Sequence, residues 1–124
     1  MQTQKVRRLL VLDDEFMIAT DIADQLEEAG YEIVGPVRTL VEAQRIVSVE
    51  KIDGAVLDVN LGSENSLGLA QQLLRKGVPM LFVTGFSKEF LKGPFVHMPH
   101  IQKPFTNTEL LKNVAALFHV PCAP

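Results

Sequence analysis

The chain has 124 residues and a formal net charge of −3, with 47% hydrophobic and 22% charged residues, a size and composition typical of one globular domain. No basic block or stripe indicates a nucleic-acid partner, and the longest apolar stretch is far too short to cross a bilayer. The lone Cys122 can form neither an internal disulfide nor a thiolate metal site, and residues 1–5 lack the apolar core of a secretory signal. These properties predict a single domain over residues 1–124 in a reducing cytoplasm, without a membrane partner.

The first predicted strand covers residues 6–12, an almost continuous apolar run of the kind found where a parallel strand is covered on both faces. After Asp13 and Asp14 the pattern changes to a helix, because the apolar residues recur at spacings of three and four. These inward residues are Ile18, Ile22, Leu26 and Ala29. Gly30 is well placed to end this helix.

A second short strand is predicted over residues 31–34, closed by Gly35 and Pro36. Thr39 is the expected N-cap of the next helix, because Glu42 three residues later completes a capping box. The residues that this second helix turns inward are Leu40, Ala43, Ile46 and Val47.

The alternation continues with a third strand over residues 54–58 and a polar loop over 60–66. A helix predicted over 67–76 ends at Gly77. Its inward residues are Ala70, Leu73 and Leu74.

The fourth strand is predicted over residues 79–84, and the Gly- and Pro-rich stretch after it leaves room for only one or two helical turns, at 88–91. A short fifth strand follows at 100–102, and Thr108 or Asn107 is expected to cap a final helix. The apolar residues of that helix are Leu110, Leu111, Val114, Leu117 and Phe118. Five strands alternating with helices predict a parallel sheet with right-handed crossovers.

Polar residues stand where these strands run out. Asp13 and Asp14 follow the first strand, Asp58 ends the third, Thr84 ends the fourth, and Lys103 follows the fifth. In an open α/β sheet the ligand crevice lies outside the carboxyl ends of the strands, so these residues are expected to converge there. Carboxylates about 4 Å apart repel by roughly 4 kcal/mol per pair at an effective dielectric constant near 20. A hard cation is therefore expected, and oxygen ligands with open positions suit Mg²⁺.

Taken together, Asp13, Asp14, Asp58, Thr84 and the Lys103-Pro104 pair resemble the receiver domain of two-component response regulators, over essentially the whole chain. The resemblance implies a flavodoxin-like (CheY-like) α/β fold, a five-stranded parallel sheet of order 2-1-3-4-5 with helices on both faces. In this chain the fourth helix is expected to be short or irregular. The resemblance further implies a signalling protein that is not an enzyme, although it assists its own phosphorylation and dephosphorylation.

The resemblance implies that a histidine kinase or a histidine phosphotransfer protein donates a phosphoryl group to Asp58. Output then passes through contacts with another, unidentified protein, or the chain serves as a phosphate relay or sink. The direct Mg²⁺ ligands implied are Asp14, Asp58 and the backbone carbonyl of Asn60, with Asp13 acting through water. Lys103 and the switch hydroxyl of Thr84 would contact phosphoryl oxygens. The Lys103-Pro104 peptide bond is expected to be cis, aiming the ammonium at Asp58.

Two features depart from the usual receiver pattern. His100 stands three residues before Lys103, where Tyr or Phe is usual, so it either replaces that aromatic switch or is an exposed edge histidine. The interval between Thr84 and Lys103 is also short. Together with the sequences at 82–86 and 60–62, these features resemble the stand-alone FAT GUY subgroup, whose members often belong to general stress pathways.

Phe16 and Met17 precede the inward residues of the first helix and are expected to face outward beside the acidic pair. An exposed apolar pair suggests a partner surface, and the kinases and phosphotransfer proteins of the resembled family dock there. A local cap over the loop is the alternative interpretation.

Three other classes of protein compete with the receiver. A phosphohydrolase of the haloacid dehalogenase type needs a second acid two residues after its nucleophile, where this chain has Asn60. A flavin carrier on the same fold needs a Ser/Thr-rich phosphate loop after the first strand, where residues 13–15 are all acidic. A receiver that acts by binding alone is disfavoured because all five site residues are present.

Overall fold

The computed structural model describes residues 6–61, 64–85, 95 and 97–118. The strands in this part of the chain are β1 (Arg8–Leu12), β2 (Glu32–Val37), β3 (Gly54–Asp58), β4 (Asn60–Leu61), β5 (Glu64–Asn65), β6 (Met80–Thr84) and β7 (His100–Gln102). The helices are α1 (Phe16–Glu28), α2 (Leu40–Val49), α3 (Leu67–Arg75) and α4 (Asn107–Leu117). The predicted alternation of strands and helices is confirmed.

Five strands form one parallel sheet in the order β2-β1-β3-β6-β7. Counted along the chain without the short strands β4 and β5, this is the predicted order 2-1-3-4-5. The prediction of a polar loop over 60–66 is wrong in part, because β4 and β5 form an antiparallel hairpin with Asn60 opposite Asn65. The loop is thus braced by its own backbone hydrogen bonds.

The core lies on both faces of the sheet, as expected for a parallel sheet covered by helices. In β1, Leu10 and Leu12 pack toward one face and Leu9 and Val11 toward the other, because successive side chains of a strand alternate. The first face packs against α2 and α3, and the second against α1 and α4. Each fully buried leucine contributes roughly 2 kcal/mol through loss of water-exposed apolar surface.

Helix α1 presents Ile22 and Leu26 to the core as predicted, with Ile18 half-buried. Ala29 is not an inward residue, because the helix ends at Glu28 and Ala29 is its exposed C-cap. The small side chains of Ala19 and Ala23 are buried instead. The predicted stop at Gly30 is confirmed by its φ of 102°, which disfavours residues with a Cβ atom.

Strand β2 continues to Val37, so its predicted end at residue 34 is wrong. Gly35, with φ 114°, and Pro36 lie inside the strand and are joined by a cis peptide bond. The pairing register with β1 shifts between Leu10 and Leu12, because Leu10 pairs with Val34 and Leu12 with Val37, on either side of Gly35 and Pro36. An edge strand tolerates a proline because its outer backbone positions need no partner strand.

Helix α3 buries Ala70 and Leu73 as predicted and is followed by Gly77 with φ 74°. Leu74 was predicted to be inward but is 38% exposed, and Leu69 is buried in its place. Leu69 and Leu73 are four residues apart and lie on the same face. Ala70 and Leu74 lie one step further round the helix, where the small alanine is buried and the larger leucine is partly exposed.

The helix caps confirm one prediction and correct another. The hydroxyl of Thr39 accepts a hydrogen bond from the Glu42 amide at the start of α2, which confirms the cap. The predicted capping box is only half formed, because the Glu42 carboxylate accepts from the Thr39 hydroxyl and not from its amide. Helix α4 is capped by Thr106, which forms a reciprocal capping box with Glu109, and not by Thr108 or Asn107. Leu110 and Val114 are buried, and the other apolar residues predicted for this helix are half-buried.

The short helix predicted at 88–91 lies outside the described residues. Within the described part of the chain, no helix combines the length and the apolar character that a membrane span requires.

Candidate functional site

The carboxyl edge of the sheet brings together the residues predicted from the strand ends. Asp13 follows β1, Asp58 ends β3, Thr84 ends β6, and Lys103 follows β7. Asp13, Asp58 and Thr84 are only 1%, 3% and 3% exposed. Asp14 belongs to the same loop but is exposed. The crevice therefore has a buried floor and an open acidic rim.

Backbone hydrogen bonds extend the sheet into this crevice. They run from Asp13 N to Val37 O (3.1 Å), from Val59 N to Val83 O (3.1 Å) and from Lys103 N to Thr84 O (2.8 Å). Each joins a site segment to the neighbouring strand just past the regular ladder. The main chain of the site is therefore positioned by the sheet itself.

The Lys103 ammonium lies among three carboxylates. Its Nζ is 2.9 Å from Glu15 Oε1, 3.0 Å from Asp13 Oδ2 and 3.2 Å from Asp58 Oδ2. The Lys103-Pro104 peptide bond is cis, as predicted. The ammonium contacts Asp58, as expected from the sequence, but its shortest contact is with Glu15.

The two buried aspartates use their oxygens in the same way. Asp13 Oδ1 accepts a hydrogen bond from the Glu15 amide at 2.9 Å, and Asp58 Oδ1 accepts one from the Asn60 amide at 3.2 Å. These local bonds to the backbone two residues ahead fix each side chain over its own turn. In both residues the second oxygen, Oδ2, is left facing Lys103.

Burial and charge shift the proton equilibria of Asp58 and Lys103. Burial and the nearby Asp13 carboxylate raise the pKa of Asp58 to about 7, although Lys103 and the Asn60 amide oppose the rise. Burial lowers the pKa of Lys103, but the carboxylates of Glu15, Asp13 and Asp58 outweigh it and raise that pKa above its ordinary value. At neutral pH the ammonium is charged and Asp58 lies near its titration midpoint.

The acidic residues of the crevice have the donor set of a hard cation. Asp13, Asp14, Glu15 and Asp58 can each offer one oxygen so that all four lie within 4.8 Å of one another. Asp13 Oδ2 is buried and, apart from its ion pair with Lys103, finds no donor in hydrogen-bond geometry among the described residues. Such an oxygen suits a divalent cation bound by oxygen ligands, as Mg²⁺ is.

Glu15 is a site residue that the sequence analysis missed. The available signal was a third acid directly after Asp14, but an exposed glutamate in a loop usually has no fixed partner. Asn60 opens β4 opposite Asn65, and the ligand role of its carbonyl stays a prediction.

The two predicted docking residues are exposed, Phe16 by 62% and Met17 by 81%. The Arg38 guanidinium stacks over the Phe16 ring at 5.3 Å from its centroid, a favourable cation–π distance. His100 is half-buried, with Nδ1 3.4 Å from the carbonyl of Met98. Its switch role stays a prediction.

A family model described as the response regulator receiver domain matches residues 9–115. The chain belongs to this family. The receiver is 31% identical over 109 residues to the transcriptional regulatory protein PdtaR of Mycobacterium tuberculosis, across 85% of this chain and 53% of that protein. It therefore spans about half the length of the curated relatives that it matches first.

Solved structures of receivers share the fold. The solution structure of SdrG from Sphingomonas melonis Fr1 is 36% identical with a TM-score of 0.81, and the match covers 94% of this chain and all of that one (100%). TrrA of Thermotoga maritima, in complex with Mg²⁺-BeF, is 25% identical with a TM-score of 0.79, across 91% of this chain and 100% of TrrA. The predicted CheY-like fold is confirmed, and the likeness to SdrG agrees with the resemblance to the FAT GUY subgroup.

Proposed function

We propose that this receiver accepts a phosphoryl group on Asp58, in a Mg²⁺-dependent reaction, from a phosphohistidine on a histidine kinase or a phosphotransfer protein. The observation that carries the proposal is the placement of Asp58 Oδ2, which is buried and lies 3.2 Å from the Lys103 ammonium within a cluster of carboxylates. Phosphoryl transfer needs mainly alignment and neutralisation of charge, and this crevice offers both.

The residues proposed to hold Mg²⁺ are Asp13, Asp14, Asp58 and the backbone carbonyl of Asn60. The buried Asp13 Oδ2, which forms an ion pair with Lys103, and the convergence of four carboxylates support this assignment. A solved relative, TrrA, was crystallised with Mg²⁺-BeF. When bound, the ion neutralises negative charge on the carboxylates and on the transferring phosphoryl group.

In the proposed reaction a carboxylate oxygen of Asp58 attacks phosphorus, a P–O bond forms, the P–N bond breaks, and the imidazole leaves with the electrons of that bond. Lys103 supports this step because its ammonium already contacts Asp58 and can donate to phosphoryl oxygens. The switch role of Thr84 is supported by its burial at the end of β6 beside the Lys103 segment. Asp58 reacts as the carboxylate, so cation binding favours the reaction by disfavouring its protonated form.

The donor protein is proposed to dock over the start of α1. Phe16 and Met17 offer exposed apolar surface there, and a groove of about 460 Å³ opens beside Lys103. The residues that line the groove are Glu15, Ile18, Asp21, Lys103, Pro104 and Phe105. A histidine-bearing helix laid on this surface would bring its phosphoryl group to the mouth of the crevice.

Met17→Glu tests the docking proposal. It should slow phosphotransfer from a donor protein by about fivefold or more, since exposed apolar anchors dominate interfaces, and should leave phosphorylation by acetyl phosphate nearly unchanged. Val49→Glu is the matched control, because Val49 is 74% exposed at the far end of α2. Equal slowing with both phosphate donors would place the defect in the crevice and count against docking.

Output is proposed to pass through contacts with a second, unidentified protein, or through onward relay or storage of the phosphoryl group. The proposal includes a cytoplasmic setting, consistent with the lone Cys122, and a general stress pathway as the FAT GUY resemblance implies. Phosphotransfer profiling against the histidine kinases of the host would identify the pathway. If none of these kinases transfers a phosphoryl group to the protein, the proposed kinase donor and the proposed pathway are contradicted.

Incubation with acetyl phosphate and Mg²⁺ tests the phosphoacceptor directly. Intact mass should show a species heavier by about 80 Da, the mass of one phosphoryl group. This species should be absent in Asp58→Asn and when EDTA replaces Mg²⁺. A wild-type protein that remains unmodified, or an Asp58→Asn variant that is modified equally, would overturn the proposed function.

A further inference from the structure

We infer that Glu15 is a positioning residue that competes with a phosphoryl group for the Lys103 ammonium. The inference rests on the proposed function, because it concerns the same crevice. Glu15 Oε1 makes the shortest contact of the ammonium, 2.9 Å, against 3.2 Å to Asp58.

The ammonium has three N–H hydrogens and three carboxylate neighbours: it donates hydrogen bonds to Glu15 and Asp58, and Asp13 Oδ2 is an ion-pair partner at 3.0 Å. A phosphoryl group on Asp58 would carry close to two negative charges where the carboxylate carried one. More anionic oxygens would then face Lys103 than it has hydrogens to give, so one existing contact must weaken.

Exposure decides which contact gives way. The side chains of Asp13 and Asp58 are 1% and 4% exposed, whereas that of Glu15 is 60% exposed. A buried carboxylate that loses its cation stays unsolvated at high cost, but an exposed one is immediately solvated. Glu15 is therefore the partner that releases Lys103.

The backbone of Glu15 need not move in this exchange. Its amide donates to Asp13 Oδ1 at 2.9 Å, which holds the main chain in place while the side chain rotates. Release of Glu15 thus leaves the buried part of the crevice intact. The ion pair between the Glu15 side chain and Lys103 therefore opposes phosphorylation. The opposing free energy is that of an exposed ion pair, which is small.

The test is a titration with beryllofluoride, which mimics a phosphoryl group, at saturating Mg²⁺, followed by ¹⁹F NMR. Glu15→Gln should reach half-saturation at a concentration about three- to fivefold lower than wild type, the factor expected for loss of an exposed ion pair. Glu15→Asp keeps the charge but is too short to keep the contact, so it should shift in the same direction. Glu28→Gln, an exposed acid at the other end of α1, controls for net charge and should not shift.

A second readout separates this role from damage to the site. Without beryllofluoride, Glu15→Gln should bind Mg²⁺ more weakly than wild type, because the cluster has lost one carboxylate, so the two affinities should change in opposite directions. Weaker binding of both ligands, or unchanged binding of beryllofluoride, would overturn the inference and leave the proposed function standing. If wild type takes up no beryllofluoride at all, the proposed function fails and the inference with it.

Discussion

Replacing Asp58 by asparagine should stabilise the protein, by an amount that grows with pH. The pKa of Asp58 is about 7 in the folded protein against an ordinary 3.8, so the folded state holds this proton more tightly than the unfolded state. The stability that the proton provides is fully present below about pH 4 and is lost as the pH rises through about 7. Asparagine does not ionise, so the Asp58→Asn variant keeps this stability at every pH.

The size of the effect follows from the two pKa values. Because each tenfold change in proton affinity corresponds to about 1.4 kcal/mol, the full difference is roughly 4 kcal/mol. Two effects reduce the expected gain. Part of the pKa rise comes from repulsion by the Asp13 carboxylate, which can itself respond to the pH, and an asparagine amide accepts a weaker hydrogen bond from Lys103 than the Asp58 carboxylate does. We therefore expect Asp58→Asn to gain about 2 to 4 kcal/mol above neutral pH and little near pH 4.

Urea unfolding followed by far-UV circular dichroism, in EDTA and between about pH 4.5 and about pH 8.5, would measure this difference. Asp24→Asn is the control, since Asp24 is exposed on α1 and its removal should matter by less than about 0.5 kcal/mol at any pH. Added Mg²⁺ should stabilise wild type more than Asp58→Asn. A difference that stays constant across the pH range, or an Asp58→Asn variant that is less stable above neutral pH, would refute the reasoning.

Three further substitutions probe the packing around the site and the sheet. Lys103→Gln leaves three carboxylates without their cation and should lower the free energy of unfolding by about 3 kcal/mol in EDTA, with part restored by Mg²⁺; equal stability in urea would contradict the pairing. Thr106→Ala should cost about 1 kcal/mol through loss of the α4 cap, whereas Thr108→Ala should cost less than about 0.5 kcal/mol, and the reverse order would contradict the assignment of the cap. Gly54→Ala would place a Cβ atom 2.7 Å from Cζ of Phe118 and should lower the free energy of unfolding by about 1 to 3 kcal/mol. The loss should be smaller when Phe118 is replaced by leucine, and a double-mutant cycle that shows no coupling between the two positions would exclude this clash.

The parts of the fold and site that the sequence predicted well share a physical cause. Strand β3 was predicted with its observed bounds, because a short apolar run ended by a polar residue marks a buried strand clearly. The bounds of β7 were also predicted, although Ile101 is the one buried residue of the three in this edge strand. Asp58 and Lys103 could be predicted to meet, since the carboxyl ends of parallel strands lie at one edge of the sheet.

Two of the parts that were missed depend on contacts that no local pattern encodes, and one had a local signal that was overlooked. Strand β2 passes through Pro36 because it lies at an edge, and edge position follows from the whole topology. The α4 cap had the local signal, because Glu109 stands three residues after Thr106, whereas leucines stand at that spacing after Asn107 and Thr108. Glu15 reaches an ammonium 88 residues away in the chain, a contact that appears only after the sheet has formed.

The hydrogen bonds that carry the sheet past its strand ends have a thermodynamic consequence for ligand binding. Fixing one residue's backbone costs about 1 to 2 kcal/mol of conformational entropy, and the segments at Asp13, Val59 and Lys103 incur that cost when the protein folds. An arriving ion or phosphoryl group then has to order only exposed side chains, so little of its binding energy is consumed in shaping the crevice. Amide protons at these three positions should accordingly exchange with solvent slowly, at rates close to those of the central strands.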